Sequence, residues 1–72
     1  MNLHTVLRRL GRNLKEARRV AGLTQIEVHS RTGITYRHYQ NIEAGRVNVT
    51  LETLVRLANV FHVTLERLLH GA

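Results

Sequence analysis

"TQIEVHSRTGITYRHYQNIEAG" (Thr24–Gly45) is the stretch whose reading decides the fold. Thr24 and Glu27 have the spacing of a capping box, in which the threonine hydroxyl accepts from the Glu27 amide while the glutamate reaches back to the Thr24 amide. The helix this opens is short, because Thr32-Gly33 stops it after about two turns. Val28 and Thr32 lie one turn apart and are expected to face inward, with His29 beside them. Ile34 then bridges to Thr35, an N-cap for a second helix that Gly45 closes. At 100° per residue Tyr39 and Ile42 share one side of this helix, and Tyr36, Arg37, Gln40 and Asn41 take the opposite arc. Two short helices joined by Gly33-Ile34-Thr35 form a helix-turn-helix pattern over residues 24–45. The tight turn sets the second helix steeply across the first and lets its polar face project. A protruding helix of this width fits the major groove of B-DNA, where all four base pairs present distinct donor and acceptor patterns.

The flanking sequence is helical as well. Upstream, Leu3, Leu7, Leu10, Leu14, Ala17 and Ala21 recur at alternating steps of four and three, one stripe of an amphipathic helix that ends at Gly22. Downstream, residues 46–49 read as a loop and Thr50 caps a fourth helix, with Leu51, Leu54, Val55, Ala58 and Phe61 marking its apolar face. A last short helix is expected from Thr64 to Leu69, with Leu65, Leu68 and Leu69 inward. The expectation is an all-α fold, a compact five-helix bundle forming one domain over residues 1–72.

Charge points to the kind of partner. Eleven basic residues, ten of them arginine, stand against five acidic ones for a net charge of +6. Residues 1–23 alone hold Arg8, Arg9, Arg12, Lys15, Arg18 and Arg19 against Glu16. Such a surface suits a polyanion, from which clustered Arg and Lys release counterions. There is no cysteine, hence no disulfide framework or thiolate metal site. The five histidines show no paired-ligand spacing, so no metal and no cofactor is expected. No carboxylate pair, nucleophile elbow or phosphate-cradling glycine loop is visible, which argues against an enzyme. No apolar run is long enough to cross a membrane, and the cytoplasm is the expected location.

The chain resembles the lambda-repressor/Cro-like (XRE-like) helix-turn-helix DNA-binding proteins. The residues that carry the resemblance are "LTQIEVHSRTGIT" (Leu23–Thr35), "IEAGR" (Ile42–Arg46), "TLETLVRLANVF" (Thr50–Phe61) and "VTLERLL" (Val63–Leu69). The resemblance implies a homodimer on a palindromic operator in double-stranded DNA, with the third helix, residues 35–44, in the major groove. It further implies that Gln25 meets the DNA backbone at the start of helix 2, and that Thr35, Tyr36 and Arg37 contact backbone and bases. Gln40 and Asn41 then continue the reading face, and Arg46 meets a phosphate. Arg18 and Glu43 match positions that form a structural ion pair. The side-chain chemistry is suitable on its own terms: arginine forks onto guanine O6 and N7, and an amide pairs with adenine N6 and N7.

The chain departs from the family pattern in four places. His29 stands where alanine is usual and Tyr39 where isoleucine or valine is, which should widen the helix 2–helix 3 crossing unless the imidazole bonds the phenol or turns outward. Val49 replaces a common proline and His62 a common glycine, both loosening local stops. The resulting reading is a sequence-specific transcriptional regulator without a sensor domain, of the kind found among phage repressors, restriction–modification controllers and antitoxins. The rival reading is a protein-interaction module of the same fold that holds a toxin or contacts RNA polymerase.

Overall fold

The computed structural model describes all 72 residues and contains five helices: α1 (Leu3–Val20), α2 (Gln25–Thr32), α3 (Tyr36–Glu43), α4 (Leu51–Phe61) and α5 (Leu65–Leu69). One device starts four of them. Thr24, Thr35, Thr50 and Thr64 are extended N-caps whose hydroxyls accept from the amides of Glu27, His38, Thr53 and Arg67. A threonine oxygen there satisfies one of the amides that a helix start leaves without a partner. The Thr24–Glu27 capping box is reciprocal, with the Thr24 amide donating to Glu27 Oε1 at 2.9 Å.

α1 packs against α3 and α5, α2 against α3 and α4, and α4 against α5. The core between them holds Leu10, Leu14, Ala17, Leu23, Val28, Ile34, Tyr39, Ile42, Leu54, Leu57, Ala58, Phe61 and Leu68. Tyr39 is its largest fully enclosed side chain. Gly11 lets α1 approach α3. A Cβ at that position would overlap the Glu43 carbonyl oxygen and lie 3.1 Å from that of Ile42.

Several apolar assignments made from the sequence are corrected. On α4 the buried stripe is Leu54, Leu57, Ala58 and Phe61, whereas Leu51 and Val55 are exposed at 65% and 47%. The sequence allows either stripe, since both repeat at three and four; packing against α2 and α5 selects the one that includes Leu57. Leu3 and Ala21, at the ends of the α1 stripe, are exposed. On α5 only Leu68 is fully enclosed; Leu65 is half-buried and Leu69 exposed.

His29 does not crowd Tyr39. It is exposed, and its imidazole turns to the inter-helix turn, where Nδ1 donates to the Ile34 carbonyl at 2.7 Å. Thr32 bonds the same turn, its hydroxyl donating to the Val28 carbonyl (2.7 Å) and accepting from the Ile34 amide (3.1 Å). Gly33 takes the left-handed conformation (φ +77°), which a residue with a Cβ enters at a cost. His62 adopts that conformation without being glycine (φ +57°) and closes α4.

Candidate nucleic-acid interface

α3 is divided lengthwise. Tyr39 and Ile42 are 0% and 1% exposed, while Tyr36, Arg37, His38 and Gln40 stand in solvent and Asn41 is half-buried. The cause is the helical period: residues three apart share the inward side and the rest fall outside it. Thr35 lies at the exposed start, its hydroxyl already accepting from the His38 amide at 3.2 Å. Gly45, left-handed at φ +72°, ends the helix, with its amide donating to Ile42 and that of Arg46 to Asn41. A side chain on Gly45 would also meet Arg8 Cα at 2.8 Å, so glycine serves both turn and packing.

Glu43 joins three helices. Arg18 of α1 grips it with both edges of the fork, Nε to Oε2 at 2.7 Å and Nη2 to Oε1 at 3.2 Å. Gln25 of α2 donates to Oε1 at 3.0 Å, and Arg18 Nη1 also donates to the Leu23 carbonyl at 2.8 Å. The two charged side chains are 12% and 5% exposed, so the pair is shielded from screening by solvent. Burial alone would push the Glu43 carboxyl up. The hydrogen bonds from Arg18 and Gln25, the nearby Tyr39 hydroxyl and the Arg18 charge outweigh it and leave the group below the ordinary carboxylate value. The Glu43 hydrogen bond, opposed by burial and helped by the carboxylate charge, raises the Arg18 pKa.

The Tyr39 hydroxyl is buried beside this pair. Burial pushes its pKa up, and the Glu43 carboxylate adds to the shift. No group meets the hydroxyl with full hydrogen-bond geometry, so its coupling to Glu43 is mainly one of proximity and charge.

The remaining site residues lie around the outward face. Arg37 and Arg46 are exposed, and neither guanidinium is held in an ion pair. Gln40 Nε2 donates to the Tyr36 hydroxyl at 2.9 Å. Gln25 is half-buried, one amide N–H occupied by Glu43, while its main-chain N–H lies in the first turn of α2. Two of these contacts went unread in the sequence: Gln25 with Glu43, eighteen positions apart, leaves no local trace, whereas Tyr36 and Gln40 have the i, i+4 spacing that brings side chains together.

Two short packed helices joined through left-handed Gly33, an outward polar face on the second and a buried carboxylate fastening it to α1 and α2 define a helix-turn-helix protein. Residues 14–68 match the family described as Helix-turn-helix, and the chain belongs to that family, in its Cro/C1 type. It is 41% identical over 55 residues to the uncharacterized HTH-type transcriptional regulator y4dJ of Sinorhizobium fredii, a match covering 76% of this chain and 71% of that protein. It is 37% identical over 60 residues to the HTH-type transcriptional regulator ImmR of Bacillus subtilis, covering 83% of this chain and 47% of ImmR. Among solved structures it is similar to the restriction-modification controller protein C.AhdI from Aeromonas hydrophila, with a TM-score of 0.81 and 27% identity. That superposition covers 86% of this chain and 94% of C.AhdI.

Proposed function

We propose that this chain is a transcriptional regulator that binds double-stranded DNA sequence-specifically by laying α3 in the major groove. One observation carries the reading: on a helix anchored by fully buried Tyr39 and Ile42, the opposite face offers an unpaired guanidinium and two exposed hydrogen-bonding side chains. Arg37, Gln40 and Asn41 read base edges, the ring of Tyr36 lies against the same groove, and Thr35 meets the neighbouring backbone. Gln25 supports a phosphate through its α2 main-chain amide and Arg46 another through its side chain. The net charge of +6 supplies the sequence-independent attraction.

The protein acts by binding, not by catalysis, and works as a homodimer with half-sites one turn, about 34 Å, apart. Exposed Leu51 and Val55, one turn apart on α4, supply apolar area for the two-fold contact. Selection of bound duplexes from a random pool, followed by sizing of the complex, tests the proposal. Arg37→Ala should weaken operator binding by about 1–3 kcal/mol and relax one base position per half-site. Equal affinity for every duplex, unchanged by Arg37→Ala, would refute sequence-specific reading.

A further inference from the structure

We infer that Tyr36 and Gln40 form one reading unit, in which the phenol sets the Gln40 amide to accept adenine and refuse guanine. The inference rests on the reading of α3 as the major-groove helix. Both side chains are exposed, stand one turn apart and share a hydrogen bond of 2.9 Å from Gln40 Nε2 to the Tyr36 hydroxyl. Neither side chain belongs to the core. Their contact therefore shapes the outward face and leaves the packing of the bundle alone.

The chemistry follows from counting donors. A glutamine amide has two N–H donors and one carbonyl acceptor. The phenol oxygen occupies one N–H, which leaves one donor beside one acceptor. Adenine presents in the major groove an N7 acceptor next to an N6 donor, the complement of that remainder. Guanine presents two acceptors, N7 and O6, and calls for two donors that Gln40 no longer has free. Arg37, by contrast, carries a donor fork not held in an ion pair, so guanine falls to Arg37 and adenine to Gln40. The phenol also orders a flexible side chain before DNA arrives, which lowers the cost of ordering it on binding.

Tyr36 is thus a positioning residue, and its signature is base preference at a position that Gln40 reads. The experiment is duplex selection with four proteins: wild type, Gln40→Ala, Tyr36→Phe and the double variant. Gln40→Ala should relax an adenine position in each half-site. Tyr36→Phe should lower the adenine-over-guanine preference at that same position on the order of tenfold, because the second amide N–H is released. Because phenylalanine keeps the ring, preferences at other positions should stay as in wild type, and the double variant should match Gln40→Ala at the Gln40 position. The proposal is overturned if Tyr36→Phe keeps the full adenine preference, if it relaxes a different position instead, or if the Gln40-dependent base is guanine. A wild-type protein with no base preference anywhere would defeat the major-groove reading itself, an outcome distinct from these three.

Discussion

Gly11→Ala puts the α1–α3 contact to a quantitative test. In an unpacked helix the change would be favourable by about 1 kcal/mol, since alanine loses less backbone freedom than glycine. Here the added methyl would overlap the Glu43 carbonyl oxygen, lie 2.8 Å from the Glu43 carbonyl carbon and 3.1 Å from the Ile42 oxygen. All three atoms are main chain, so no rotamer change can relieve the overlap. The two helices must separate, and overpacking of this kind costs about 1–3 kcal/mol, with backbone clashes at the upper end or beyond. Set against the propensity gain, the net loss should be about 2 kcal/mol. A domain of this size carries roughly 4–11 kcal/mol in total. Its entropy of unfolding is on the order of 0.15 kcal/mol/K, so the melting temperature should fall by about 13 °C. Thermal and urea unfolding followed by circular dichroism measure this, with exposed Arg12→Ala as a control expected to shift stability by under about 0.5 kcal/mol. A Gly11→Ala protein as stable as wild type, or more so, would mean that helix propensity decides the site and that α1 does not press on the end of α3.

Acid stability should follow Glu43. Its ionised form is favoured by the fold, so the stabilisation is complete above the ordinary value of 4.5 and is lost as pH falls through the lower folded value. Urea midpoints should therefore drop more steeply below that pH for wild type than for Glu43→Gln, and parallel curves would show that the carboxylate is not engaged. Glu27, held down by its bonds to the Thr24 backbone and hydroxyl, should supply a shallower residual slope in both proteins. Tyr39→Phe should change stability by less than about 1 kcal/mol, or raise it, because the hydroxyl it removes has no well-formed partner; a loss above about 1.5 kcal/mol in chemical denaturation would show that the hydroxyl holds Glu43 directly. His62→Gly should stabilise by about 0.5–1 kcal/mol, the left-handed strain relieved less the entropy that glycine adds to the unfolded chain, as read from the melting temperature.

Local signals in this sequence were legible from the residues themselves, whereas the long-range tie of Arg18 to Glu43 was legible only through the family resemblance. The caps at Thr24, Thr35 and Thr50 could be read because a hydroxyl and an amide three residues on are all the motif needs, whereas Thr64, expected as the first residue of α5, is its cap. The all-α architecture and the division of α3 into inner and outer sides followed from the helical period in the same way. The choice of Leu57 over Leu51 and Val55 could not be made locally, because two stripes of equal period compete and only the neighbouring helices decide between them. For His29 the sequence leaves a wider crossing and an outward turn both open, and the Ile34 carbonyl outside the crossing selects the outward one. Around the candidate site, the tie between Gln25 and Glu43 required the tertiary fold, although the Tyr36–Gln40 pair lay open to an i, i+4 search.

The junction at Glu43 has a consequence for redesign. Since Arg18 and Gln25 both bond the carboxylate at the end of α3, that helix is not a detachable cartridge: moving it whole into another scaffold would strand a carboxylate without its guanidinium. Its outward positions carry no such obligation. Residues 36, 37, 40 and 41 can be exchanged while Tyr39, Ile42 and Glu43 hold the helix in place, so under the proposed function new operators would be reached by side-chain exchange and not by helix exchange.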